Sequence, residues 1–241
     1  ENGQLRVKVI LKKELPIDGQ VEYFFENGSI KERFNYKDGQ YNGLVEFFDE
    51  DGTLKTRENY KDGEYNGLVE RFYEDGTLET RVNHKDGKVD GLFEWIFEDG
   101  VVRFRGNYKE GKENGLHESF YEDGTLKTRE NYKDGQYNGL VETFYEDSTL
   151  KSKKNYKDGK KYGLSETFHT DSTLETIENY KDGKLDGFYM WNTVMGNGER
   201  KEGFYKDGKL DGLSIWVTNG RTWSSICWEN GIKVSMSKCQ N

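Results

Sequence analysis

The sequence predicts an all-β protein, an elongated single-layer array of tandem antiparallel β-hairpins with a 24-residue period, and three observations carry that prediction. The closing glycine of a YKDG-like tetrapeptide recurs at Gly39, Gly63, Gly87, Gly111, Gly135, Gly159 and Gly183, a constant step of 24, with Gly208 one residue late. The segments between these glycines are rich in β-branched and aromatic residues and bounded by Asp-Gly and Asn-Gly pairs, the punctuation of strands and turns. No helical spacing of apolar residues is sustained, and each glycine would weaken a helix by roughly 1 kcal/mol.

One unit shows the elements in order. Gly43 to Asn66 reads GLVEFFDEDGTLKTRENYKDGEYN. Leu44 to Phe48 is the outgoing strand. Asp51-Gly52 is expected to form a two-residue hairpin turn, because both residue types tolerate positive φ. Thr53 to Tyr60 returns, and Lys61-Asp62-Gly63 with Asn66-Gly67 forms a second turn. The second glycine recurs at Gly43, Gly67, Gly91, Gly115, Gly139, Gly163, Gly187 and Gly212. The third stands at Gly52, Gly76, Gly100 and Gly124, with Ser148 and Ser172 replacing it later.

Composition agrees with a thin core. Hydrophobic residues are 32% of the chain and charged residues 34%, with a mean hydropathy of -1.02, yet aromatics reach 15%. Disordered chains are poor in rings, so this chain is expected to fold by burying Tyr and Phe. A net charge of -9 repels phosphate backbones and anionic lipid, which argues against nucleic-acid and membrane-surface roles. No apolar run approaches the ~18 residues of a membrane span. Cys227 and Cys239 could close a disulfide across a terminal hairpin in an exported protein, or remain free thiols in a cytosolic one. Glu1 in place of Met suggests a trimmed or processed start, and the compartment stays open between bacterial cytoplasm and secretion or cell envelope.

With Tyr60-Lys61-Asp62-Gly63, Asn66-Gly67, Asp75-Gly76 and their equivalents, the sequence resembles the MORN family (membrane occupation and recognition nexus), in its bacterial variant repeat, over about residues 19 to 231. The resemblance implies a single sheet of successive hairpins, curved or twisted along its length. It also implies an antitoxin-like or immunity-like role, other members acting as scaffolds or being linked to lipid.

A two-residue turn at Asp51-Gly52 places Glu46 opposite Arg57, Phe48 opposite Lys55 and Leu44 opposite Asn59 on one face. The same register pairs Glu70 with Arg81, Glu94 with Arg105, Glu118 with Arg129 and Glu142 with Lys153, and the ladder breaks at Glu166 with Ile177. Opposed charges make this ladder a scaffold feature rather than a Ca²⁺ site. The other face carries Val45, Phe47, Leu54, Thr56, Glu58 and Tyr60. Val45 is replaced in successive units by Val69, Phe93, His117, Val141, Ser165, Tyr189 and Ser214. Phe47 is replaced by Arg71, Trp95, Ser119, Thr143, Thr167, Trp191 and Trp216. Such divergence marks either relaxed solvent positions or a tailored binding surface.

No catalytic constellation is present: His84, His117 and His169 are isolated substitutions in repeat positions, without metal-motif spacing, a nucleophile elbow or a phosphate cradle. No catalytic, cofactor-binding or metal residue is therefore assigned. The chain is divided into a modified capping repeat at 1–38, regular repeats at 39–186, and diverged repeats with a C-terminal cap at 187–241, all one cooperative domain. The expected function is a non-catalytic scaffold binding a protein partner. The alternative is a secreted or cell-surface structural, adhesive repeat protein. Candidate partner-binding residues are Phe93, Trp95, Tyr189, Trp191, Trp216, Trp223 and Trp228, large rings that are costly to leave in water without use.

Overall fold

Asp-Gly pairs or their substitutes stand at two places in each regular repeat, and the computed structural model, which describes residues 7–9, 18–193 and 198–239, uses them for two different turns. Lys61 pairs with Glu64, and Asp62 and Gly63 both have positive φ, 51° and 81°. This is the two-residue type I′ turn, whose twist matches the flanking strands. At the other Asp-Gly the loop is one residue longer than the sequence suggests. The Gly52 N–H donates to the Asp49 carbonyl at 2.9 Å and the Asp49 N–H donates to the Thr53 carbonyl at 2.8 Å. Glu50 and Asp51 are thus the central residues, and Gly52 comes next in the left-handed region with φ 91°. Ser148 and Ser172 hold the same conformation, with φ 66° and 65°.

The longer loop corrects one expected pair. Phe48 faces Leu54, not Lys55, because Asp49 and Thr53 close the loop and shift the register by one. Lys55 is the extra residue of a β-bulge, and the register returns at Phe47 opposite Thr56. Glu46 opposite Arg57 and Leu44 opposite Asn59 therefore stand as expected. Asn66-Gly67 is not a turn either. It is a bulge inside one continuous strand, with Gly67 at φ 112° and the Asn59 side-chain amide donating to the Leu68 carbonyl at 2.7 Å. A Cβ on Gly67 would meet Asn59 Cβ at 3.2 Å, so glycine serves both the backbone and the approach of the asparagine.

The chain forms two units, residues 1–124 and 125–241, a division that falls within the regular repeats. The first contains β1 (Val7–Val9), β2 (Gly19–Phe24), β3 (Ile30–Lys37), β4 (Gln40–Tyr41), β5 (Gly43–Phe48), β6 (Leu54–Lys61), β7 (Glu64–Phe72), β8 (Leu78–Lys85), β9 (Lys88–Ile96), β10 (Val102–Lys109) and β11 (Lys112–Phe120). Each strand pairs antiparallel with its chain neighbours, except that β4 and β5 both pair with β3. The second unit contains β12 (Leu126–Lys133), β13 (Gln136–Phe144), β14 (Leu150–Lys157), β15 (Lys160–Phe168), β16 (Leu174–Lys181), β17 (Lys184–Thr193), β18 (Glu199–Lys206), β19 (Lys209–Leu210), β20 (Gly212–Thr218), β21 (Arg221–Glu229) and β22 (Ile232–Val234). It is the same antiparallel meander, with β19 and β20 both on β18, closed by a 3-10 turn at Met236–Cys239. Of the N-terminal segment RVKVILKKELP, only β1 is described, paired with β2; Pro16 lies outside the described residues.

Adjacent repeats are also tied at the type I′ edge. The Gly63 N–H donates to the Tyr41 carbonyl and the Gly87 N–H to the Tyr65 carbonyl, both at 2.9 Å. Asn42 and Asn66 donate to Asp62 and Asp86 of the next turns at 3.1 and 3.2 Å. The Tyr of the tetrapeptide stacks in a file: Tyr36, Tyr41, Tyr60, Tyr65 and His84 have successive ring centroids 5.0, 5.1, 4.7 and 5.1 Å apart. These contacts explain why the Asn/Asp, Gly and Tyr positions recur.

On the Glu/Arg face, the expected pairs extend into a continuous ladder. Arg33 bridges Glu22 and Glu46 at 2.9 Å each, and Arg57 bridges Glu46 at 3.2 Å and Glu70 at 3.4 Å. Arg81 bonds Glu94, and Arg105 bonds Glu118 at 2.6 Å, so these arginines reach into the next hairpin as well. In the second unit Glu166 does face Ile177.

Of the two divergent series on the other face, the one through Val45 proves to be core, while the one through Phe47 is half-buried or exposed. Val45, Tyr189 and Ser214 are fully buried, and Val21, Val69, His117, Val141 and Ser165 are buried with them. Within each unit they lie in a row across the strands, so the solvent-relaxed reading of this position fails. Its variation is compensated by volume. Gly106 separates Phe93 from His117 in the row, and Gly203 faces Tyr189 and adjoins Ser214. A Cβ on Gly106 would lie 2.8 Å from the His117 ring, and one on Gly203 would lie 2.5 Å from Ser214 Oγ. Both glycines have ordinary φ, so they are there for space.

Candidate binding surface

The sequence-predicted aromatics fall into groups with different surroundings. In the first unit, Phe93 is enclosed by Phe104 and Tyr108, at 5.6 and 6.1 Å between centroids. Trp95, two residues along, carries the Arg103 guanidinium 3.9 Å from its ring centroid. In the second unit, Tyr189 is fully buried, 4.7 Å from the Trp191 ring and 4.9 Å from Tyr205, with its hydroxyl 3.2 Å from Ser214 Oγ. Burial pushes the Tyr189 phenol up, opposed by the Ser214 hydrogen bond. Phe93 and Tyr189 thus support the rings beside them.

Strand pairing assembles the half-buried part of the second group. Trp191 of β17 faces Lys201 of β18, and Lys201 faces Trp216 of β20. The Lys201 ammonium lies 5.4 Å from the Trp191 ring, 5.1 Å from Trp216 and 5.8 Å from Tyr189, within cation–π range of all three. Trp191 is fixed from below, its indole N–H donating to Glu178 at 3.0 Å, and Glu178 also accepts from the Tyr180 hydroxyl at 2.7 Å. Trp223 is the extra residue of a bulge in β21. It is 63% exposed, with its centroid 6.4 Å from Trp216. Trp228 stands apart, opposite Gly212, with its indole N–H buried and without a hydrogen-bond partner.

In the regular repeats preceding these strands, the row occupied by Trp191, Lys201 and Trp216 is made of Thr143, Ser152, Thr167 and Thr176. Small hydroxyls give way to two indoles and a cation within three strands. The opposite face changes over the same strands, which sequence reasoning did not register as a surface. Ile177, Met190 and Ile215 replace members of the charged ladder. Phe188 and Phe204 pack edge to face at 5.7 Å, and Phe204 is 49% exposed. The ladder's break at Ile177 is the signal that points to it. Cys227 and Cys239 form a disulfide, Cα–Cα 5.9 Å, joining β21 to the terminal 3-10 turn beyond β22.

Charge is divided unevenly. Residues 1–124 hold 18 basic and 28 acidic side chains, a net of -10, while residues 125–241 hold 18 and 17, a net of +1. The open groove lined by Phe72, Tyr73, Glu74, Asp75, Glu79 and Glu98 belongs to the acidic unit. Among the described residues no group of three His, Cys, Asp or Glu side chains is placed to hold a metal ion. Among the same residues no helix is long and apolar enough to cross a membrane.

Comparison with known families gives six tandem matches to a family model described as a MORN repeat variant, at residues 17–38, 41–62, 65–86, 89–110, 113–134 and 137–158. No curated protein matches the chain.

Proposed function

The chain belongs to the MORN repeat variant family, and from that premise we propose that it is a non-catalytic repeat scaffold that binds a protein partner, in the manner of an antitoxin or immunity protein. The reading rests on the row Trp191, Lys201, Trp216 with the exposed Trp223 beside it, following strands β13 to β16 that offer only Thr143, Ser152, Thr167 and Thr176 at those places. Interface energy concentrates in Trp, Tyr and Arg held in place before binding, and Trp191 and Lys201 are so held. The test is a photo-crosslinking residue at position 223 in one sample and at position 79, in the acidic groove, in another. Recovery of one specific protein from the native source through position 223, lost in Trp216→Ala, supports the proposal. Equal recovery through both positions, or none, refutes it.

A second reading, a secreted or cell-surface structural or adhesive protein, draws support from the Cys227–Cys239 pairing, since disulfides persist in oxidising compartments. Thiol titration of the protein taken from its native source decides it: two reactive thiols in the unfolded, unreduced chain would remove this reading.

A further inference from the structure

We infer that the segment docking on the Trp191, Lys201, Trp216 and Trp223 surface is an acidic stretch of polypeptide, an inference that rests on the partner-binding reading above. The observation behind it is which cations stand beside the indoles without a carboxylate. Arg200 is paired with Glu202 at 2.9 Å, on the opposite face of β18. Lys238 is paired with Glu229. Lys201 and Arg221, by contrast, have no carboxylate partner among the described residues, and both lie beside the indoles. Lys201 sits between Trp191 and Trp216, and exposed Arg221 opens β21 two residues before Trp223. Glu178, a half-buried carboxylate on this face, is already engaged by Trp191 and Tyr180.

This arrangement suits a carboxylate ligand for a physical reason. A lysine normally loses much side-chain freedom when it binds, but the Lys201 ammonium is already held within cation–π range of two indoles, so less remains to be lost. Its ammonium is left to form a charge-assisted hydrogen bond, and the indoles supply apolar area for the ligand's own methylenes or rings. The surroundings then select where such a ligand goes. An acidic segment is repelled by residues 1–124, with their net charge of -10, and admitted by residues 125–241 at +1. A nucleic-acid strand would also find cations and stacking platforms here. It carries a charge on every nucleotide, however, and the two cations beside the indoles neutralise only a short part of it, while residues 1–124 at -10 repel it.

The test uses the full chain and monitors its tryptophan fluorescence against a short glutamate-rich, tyrosine-containing peptide, a lysine-rich peptide of equal length and an oligothymidylate. The glutamate-rich peptide is expected to bind, the lysine-rich peptide not to. Affinity should fall about tenfold in Arg221→Glu and again in Lys201→Glu, and should weaken as salt is raised. Arg221 is exposed at a hairpin end, so its variant keeps the test valid should Lys201→Glu disturb folding. Tighter binding of the oligothymidylate, no effect of Arg221→Glu, or absence of peptide binding overturns the inference. So does self-association of the chain in sedimentation equilibrium that Arg221→Glu abolishes, which would assign the surface to a second copy. A failed peptide test with successful crosslinking at position 223 removes the acidic chemistry alone; failure of both removes the partner-binding reading too.

Discussion

Replacing Gly106 with alanine would place a methyl carbon 2.8 Å from Cε1 and Nδ1 of His117 and 2.9 Å from its Cγ. Ordinary carbon contacts lie nearer ~3.5–4.0 Å, so the ring would have to retreat by roughly 0.6–1 Å. It has little room. His117 is 3% exposed, its Nε2 lies 2.8 Å from the Asn107 carbonyl, and Phe104 and Tyr108 stand 5.6 and 5.1 Å from its ring. Overpacking of this kind costs about 1–3 kcal/mol. For a chain of this size that corresponds to a fall in Tm of roughly 2–4 °C per kcal/mol. Gly106→Val should cost more than alanine, and His117→Val alone should leave a void worth about 2–4 kcal/mol beside the glycine. Together they restore the pairing seen where Val69 faces Val82. The double variant should therefore be more stable than the sum of its parts by about 1–3 kcal/mol, read from urea midpoints by circular dichroism and from amide exchange in β10 and β11. Additivity within about 0.5 kcal/mol, or a neutral Gly106→Val, would refute the claim that the divergent row is a volume-matched core.

The same contacts carry other consequences. Glu46→Ala should destabilise by about 1–2 kcal/mol in chemical denaturation, since it removes a buried carboxylate shared by Arg33 and Arg57 and leaves each with one partner, Glu22 and Glu70; Glu142→Ala should cost less, its Arg129 lying 3.7 Å away. Burial holds the His84 imidazole below its usual value, so its contribution to stability is present above about pH 6.5 and declines as pH falls through the lowered value. His84→Tyr, the repeat residue, should flatten that acid limb in thermal melts between about pH 7 and pH 4, and an unchanged limb would count against it. Tyr41 is pushed up to about 12 by burial and by the Tyr36 hydroxyl, and Tyr60, Tyr132 and Tyr180 are raised as well. Their contribution is full below about pH 10 and is lost as pH rises past it, so phenolate absorbance and loss of β-structure should appear together. Cys227→Ser with Cys239→Ser opens a loop of 12 residues, with an expected local loss of about 3 kcal/mol confined, by hydrogen exchange, to β21 and β22.

Much of the fold is legible in the sequence because stacking repeats the same demand every 24 residues. The type I′ turn at Asp62-Gly63, the Tyr file and the Glu46–Arg57 register arise from residues that cannot vary without losing a turn or a ladder rung. Two Asp-Gly pairs per unit conceal which turn is which. The threonine after the second of them distinguishes the two: in Asp51-Gly52-Thr53 the Thr53 N–H donates to the Asp51 carboxylate at 2.9 Å, stabilising the longer loop and holding that carboxyl below its usual pKa. The row through Val45 is hard to read because variation along it resembles an absence of constraint. Its constraint is on summed volume across neighbouring strands, and the glycines that satisfy it, Gly106 and Gly203, lie off the three recurring glycine phases. The Trp191 to Trp223 surface is partly visible as costly aromatics. Its cation is not, since only the pairing of β17, β18 and β20 brings Lys201 between the two indoles.

The chain has five tryptophans, at 95, 191, 216, 223 and 228, and each can report separately once replaced by 5-fluorotryptophan. Fluorine NMR of the full chain, titrated with the protein recovered by crosslinking at position 223, tests the proposed docking surface directly. The signals of Trp191, Trp216 and Trp223 should shift or broaden, while Trp95 in the other unit and Trp228, which stands apart with its indole N–H buried, should stay in place. Perturbation of Trp95 or Trp228 with the other three unmoved would contradict the account.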